Sequence, residues 1–112
     1  MTPRPLHPAV RAAALAAALA GCAGAASQPA RHDISIQAFV YQPAREPVHP
    51  GDTLVFVNHD AVPHTATAAD GTWDTGEIPA NATRTVVVRD KGIGAYKCAF
   101  HPTMKAALTP AE

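Results

Sequence analysis

Beyond residue 31 the chain is cut every few residues by proline- and glycine-bearing turn signals, and nowhere does it show helical periodicity. Short strands joined by turns are what such a chain can form. Ile34, Ile36 and Ala38 alternate with Ser35 and Gln37, giving a first strand with one apolar face. His49-Pro50-Gly51-Asp52 is a turn signal that launches Thr53 to Asn58, whose Leu-Val-Phe-Val run suits a strand covered on both faces. Further strands are predicted over His64 to Ala68, Thr83 to Arg89 with Val86 and Val88 on one face, Ala95 to Cys98, and Lys105 to Thr109. Asp70-Gly71, Pro79-Ala80-Asn81 and Asp90-Lys91-Gly92 turn the chain between them. The fold class this predicts is all-β: a small antiparallel sandwich of Greek-key type, with loops held at one end of a stiff frame.

The first residues read as an export segment. Arg4 and Arg11 precede an uninterrupted Ala/Leu stretch from Ala12 to Ala20, too short to span a bilayer as a stable helix but suited to a signal peptide. Leu19-Ala20-Gly21-Cys22 resembles the bacterial lipobox, which implies cleavage before Cys22 and attachment of lipid to its thiol. The alternative is ordinary secretory cleavage near Ala23-Gly24-Ala25, giving a soluble protein. The expected organisation is a signal peptide over 1–21, a flexible tether over 22–32 and one domain over 33–112. Removing the two leading arginines leaves seven basic residues against nine acidic ones, with no basic stripe. A nucleic-acid partner is therefore not expected.

Only two cysteines are present, and with Cys22 assigned to lipid, Cys98 is a single thiol in an exported domain. An odd thiol in an oxidising compartment calls for pairing, reactivity or a ligand role. Its neighbours select the last. Cys98, His101 and Met104 place a thiolate, an imidazole and a thioether at three-residue intervals, and Pro63-His64 offers a second imidazole. Singly, a Cys or a Met is most often core filling, but soft sulfur donors combined with two imidazoles suit copper in both oxidation states. Zinc would bring more thiolates or four firm N/S ligands, and Met serves it poorly. The expected cofactor is one copper ion per chain, cycling between Cu(I) and Cu(II).

From Ile34 to Leu108 the chain resembles the cupredoxins, above all the amicyanin and pseudoazurin-like type with a plastocyanin-like signature. The resemblance is carried by Pro50 to Asp52, by Asn58-His59-Asp60-Ala61-Val62-Pro63-His64-Thr65, by Asp70-Gly71 with Trp73, by Gly76, and by Tyr96-Lys97 followed by the Cys98 to Met104 loop. It implies an eight-stranded sandwich, a type 1 copper held by His64, Cys98, His101 and Met104, and outer-sphere electron transfer. It further implies that the Thr65 backbone N–H donates to the Cys98 sulfur and that Asn58 braces the ligand loop. Two departures stand out: Ala106 where relatives usually carry glycine, and Trp73 in place of a more common phenylalanine.

The function these readings predict is single-electron shuttling between redox proteins in a bacterial periplasm. The protein would be a monomer that docks partners at the His101 face and is held to the membrane by lipid on Cys22, or else is soluble. Copper carriage or buffering, and an accessory role in a copper-enzyme assembly, are the rival readings. An enzyme is not expected, since four protein ligands leave no open metal position and no nucleophile-base pair is apparent. His32, His49 and His59, which lack soft neighbours, are expected to be solvated.

Overall fold

A computed structural model describes residues 28–112. The expected export segment and Cys22 lie outside the described residues, as does most of the tether. Eight strands form: β1 Arg31–Gln37, β2 Val40–Gln42, β3 Arg45–Val48, β4 Thr53–Asn58, β5 Thr67–Ala68, β6 Thr83–Val87, β7 Ala95–Lys97 and β8 Lys105–Pro110. They make two four-stranded sheets, in the orders β2-β1-β4-β6 and β3-β8-β7-β5. The sandwich is the architecture the turn pattern predicts, but each sheet is mixed rather than purely antiparallel. β1 runs parallel to β4, with Arg31 opposite Thr53 and Ile36 opposite Asn58, and β3 runs parallel to β8. Parallel neighbours follow from chain crossings between the sheets, which turn signals alone do not specify.

Alternation fills the space between the sheets. Ile34 and Ile36 of β1, Leu54 and Phe56 of β4, Tyr96 of β7 and Leu108 of β8 all face it and are buried. A Leu, Ile or Phe fully buried in this way contributes about 1.5–3 kcal/mol. Tyr41, Phe56, Trp73 and Tyr96 form an aromatic centre; Tyr41 meets Tyr96 at 4.8 Å, and Phe56 stacks on Trp73 at 6.1 Å. Trp73 donates from its ring N–H to the Gly92 carbonyl at 3.0 Å. Gly92 has φ +98°, and an added Cβ would stand 2.6 Å from Trp73 Cδ1, so only glycine fits there.

Several local expectations change. Strand pairing begins at Arg31, and just before it the Ala30 N–H donates to Asp52 at 2.9 Å. Ala38, expected on the apolar face of β1, lies in an exposed turn with φ +56°. Of His64 to Ala68 only Thr67 and Ala68 form a strand, while His64 makes an isolated antiparallel bridge with Ile78. β2 and β3, which Pro43 and Pro47 disguise in the sequence, pair at sheet edges where proline is tolerated. β8 is paired on both sides, by β7 and β3. Ala106 lies outside the left-handed region, so alanine is accommodated there without backbone strain.

Candidate metal centre

Three connections meet at one end of the sandwich: the β1–β2 turn, the loop from β4 to β5, and the loop from β7 to β8. Cys98 leaves β7 in phase with Tyr96, two residues earlier, and is likewise buried. The loop that follows is closed by its own backbone, since Cys98 N–H donates to the Met104 carbonyl at 3.2 Å and Met104 N–H to the His101 carbonyl at 2.8 Å. Met104 is thereby drawn back into the core, while His101 stays half-buried at the rim. His64 arrives from the other side. Its backbone is pinned to Ile78 by reciprocal N–H···O bonds of 3.1 and 2.7 Å, and its side chain is fully buried.

The donor atoms converge. Cys98 Sγ lies 3.8 Å from His64 Nδ1 and 3.5 Å from His101 Nδ1. One ligand atom from each of His64, Cys98 and His101 falls within 4.8 Å of the others. On the far side of the His64 ring, Nε2 donates to Asp60 Oδ2 at 2.8 Å. A carboxylate can only accept, so this bond puts the proton on Nε2 and leaves the Nδ1 lone pair directed toward the sulfur. Burial would raise the Asp60 pKa, yet the Phe39 N–H, the His64 ring and the Ala38 N–H together hold it below the usual carboxylate value.

Thr65 N–H donates to Cys98 Sγ at 3.3 Å. Its hydroxyl accepts from Ala99 N–H at 2.8 Å, tying the two ligand loops together. Asn58, at the end of β4, donates to the carbonyls of Val62 and Ile78, both at 2.9 Å, and its side-chain oxygen accepts from Asp60 N–H at 2.9 Å. The residues singled out from the sequence, His64, Cys98, His101, Met104, Thr65 and Asn58, are therefore brought to one place. Two neighbours were not anticipated. Asp60 could have been noticed as a carboxylate four residues before a histidine; Phe39, whose ring lies against both imidazoles, has no local signal at all.

This donor set fits copper on its own chemistry: two imidazoles whose Nδ1 atoms face one cysteine sulfur, with a thioether in the same closed loop. His49 and His59 are exposed, as expected. His32 is not solvated. Its side chain is only 13% exposed and is held between Glu46 and Asp52, because β1 carries it inward toward acids from two other segments.

No protein-family model and no curated protein matches the chain. Solved structures do. An oxidised single-residue mutant of amicyanin aligns with TM-score 0.64 and 19% identity, over 70% of this chain and 80% of that one. A purple cupredoxin from Nitrosopumilus maritimus aligns with TM-score 0.62 and 22% identity, over 71% of this chain and 99% of that one. The copper-containing nitrite reductase of Thermus scotoductus SA-01 gives TM-score 0.65 and 22% identity over 81% of this chain, which spans only 25% of that enzyme. The fold is thus that of the cupredoxins, as the loop and turn motifs had implied.

Proposed function

We propose that the chain is a type 1 copper protein that passes single electrons between redox proteins, and that it is not itself an enzyme. The observation that carries this reading is the convergence of His64 Nδ1, His101 Nδ1 and the Thr65 N–H on one buried thiol sulfur. Bound there, copper supplies a one-electron Cu(I)/Cu(II) couple.

The protein's part is to keep the donors from moving. Cys98 and His64 are anchored by strand-like backbone bonds, and the Met104 loop is closed on itself, so little needs to rearrange when charge changes. The Thr65 N–H drains charge from the sulfur and tunes the potential. His101 is the half-buried ligand and therefore the route to a partner. Beside it the Phe39 and Phe100 rings, 4.9 and 6.5 Å from the His101 ring, are 46 and 50% exposed and give it an apolar edge. Such a surface suits brief redox encounters, which bury less than about 1,200 Å².

In this reading the protein works as a monomer on the periplasmic side of a bacterial membrane, tethered through lipid on Cys22 or, failing lipidation, free in the periplasm. The deciding experiment is Cu(II) loading of the purified domain. An intense blue or purple thiolate charge-transfer band, with reversible voltammetry, is expected. Pale absorption of a nitrogen/oxygen site would end the proposal, and rapid surrender of copper to a modest chelator with slow self-exchange would favour copper carriage.

A further inference from the structure

The two imidazoles at the centre are restrained in different ways. His64 has a backbone bridge to Ile78 and a hydrogen bond from Nε2 to Asp60. His101 lies on the loop, and among the described residues its Nε2 has no hydrogen-bond partner; its one ring contact of that kind is Nδ1 to Cys98 Sγ. Ring packing holds it instead. Phe39 meets His101 at 4.9 Å and 87°, and meets His64 at 5.0 Å and 83°. The two imidazoles themselves are 5.0 Å apart at 66°, so the three rings form one cluster.

Phe39 reaches this position through a strained turn. Ala38 and Phe39 both have positive φ, +56° and +61°, at the two central positions of the β1–β2 hairpin. Asn-Gly is the usual solution there, because L side chains resist that conformation. Neither turn propensity nor core burial accounts for a phenylalanine that is 46% exposed in such a conformation. What holds it is Asp60, whose Oδ1 accepts from Ala38 N–H at 2.7 Å and whose Oδ2 accepts from Phe39 N–H at 2.9 Å. The same Oδ2 takes the His64 ring N–H. One carboxylate thus orients one imidazole directly and aims the aromatic ring that confines the other. Strain maintained at a site by surrounding structure points to a role for the strained residue.

We propose that Phe39 is a positioning residue for the metal-binding imidazoles, held in place by Asp60, and that its ring does for His101 what a hydrogen bond does for His64. This rests on His64 and His101 being metal ligands. The consequence is that the aromatic ring fixes the angle at which His101 presents Nδ1 to the metal, and slows the loop opening by which metal would leave.

The test uses Phe39→Ala and Phe39→Tyr in the full domain, with two readouts. In the metal-free protein, NMR of the histidine rings should show His101 mobile in Phe39→Ala and ordered in Phe39→Tyr, with His64 ordered in both. In the copper-loaded protein, Phe39→Ala should lose metal to a chelator about tenfold faster, the scale on which partners of metal ligands act, and Phe39→Tyr should stay near wild type. A His101 ring as ordered in Phe39→Ala as in wild type overturns the proposal. So does equal disturbance by Ala and Tyr, which would assign the effect to the turn and not to the ring. Failure of the wild type to bind copper would sink the functional reading and the metal-positioning role with it, while the metal-free NMR would still decide separately whether the Phe39 ring orders the His101 ring.

Discussion

His64 and His32 are both sheltered from water and both held by acidic side chains, yet they lie at opposite ends of the sheet. His64 follows the end of β4, and His32 stands near the start of β1, beside the start of that same strand. His64 has a carboxylate on one nitrogen and a thiol sulfur near the other. His32 has carboxylates on both, Glu46 at 2.6 Å from Nδ1 and Asp52 at 2.8 Å from Nε2. Two acceptors require two ring protons, so His32 is satisfied only as an imidazolium, with no lone pair to offer a metal. One acceptor leaves a lone pair free. The count of acceptors around the ring separates a structural clasp from a ligand, although both residues look alike in the sequence.

The clasp joins the two sheets, since His32 belongs to one and Glu46 to the other, and Asp52 also receives the backbone N–H groups of Ala30 and His49. Burial would lower the His32 pKa, but the hydrogen bonds its ring donates to Asp52 and Glu46, together with the charges of those carboxylates, outweigh it and raise the value above the ordinary one. Asp52 moves the other way, held at about 2 by the N–H groups of His49 and Ala30 and then by His32.

The comparison is broken most severely if the metal end is disabled without unfolding the molecule. Cys98→Ser should abolish the charge-transfer band and tight copper binding while chemical denaturation of the metal-free domain changes by about 1 kcal/mol or less, because the sulfur is replaced by a group of similar shape. Unfolding of the variant would show the two ends to be inseparable. The converse substitution, His32→Gln, should cost about 1–3 kcal/mol by leaving part-buried carboxylates poorly paired, with the copper spectrum intact. A shifted spectrum would mean the clasp reaches the site through β1 and β4.

Acidity sharpens the same contrast. Because the folded pKa of His32 is raised, its contribution is complete below the unfolded value of about 6.5 and is lost as pH rises through the folded one. Because that of Asp52 is lowered, its contribution is present above about 3.9 and fades as pH falls toward 2. Stability measured by denaturant should therefore be greatest between those limits, and His32→Gln should remove the alkaline decline; a wild-type curve flat from pH 6 to 9 would contradict this. Met104→Leu should retain copper and raise the potential, since a weak axial donor tunes the metal more than it holds it. Metal loss would make Met104 a firm ligand. The smallest effect on either end is expected from Cys22→Ser, which should leave spectrum and stability unchanged and alter only lipidation and processing, read by mass spectrometry of the mature N-terminus.

The ligand loop was legible because its chemistry is local: Cys98, His101 and Met104 lie within seven residues, and a strand entering from Tyr96 fixes their phase. Alternation marked β1 and β6, and an unbroken apolar run marked β4, for the same reason. β2 and β3 escaped because strands of three and four residues, one ending just before Pro43 and the other containing Pro47, acquire their conformation from edge pairing. His32 was misjudged because its partners stand 14 and 20 positions away. Asp60 reaches Ala38 and Phe39 across 22 and 21 positions, so no spacing rule could have joined them.

By itself, then, the sequence determined a chain of short strands and, near its end, a set of soft donors with one metal in view, since alternation and ligand type act over a few residues. Only the tertiary structure decided which strands lie parallel and which histidine is clasped and which is free. It also decided that a phenylalanine from a distant turn confines the imidazoles. Those outcomes depend on which segments the crossings bring together, and the free energy that selects the crossings is spread over the whole core, with no short motif to carry it.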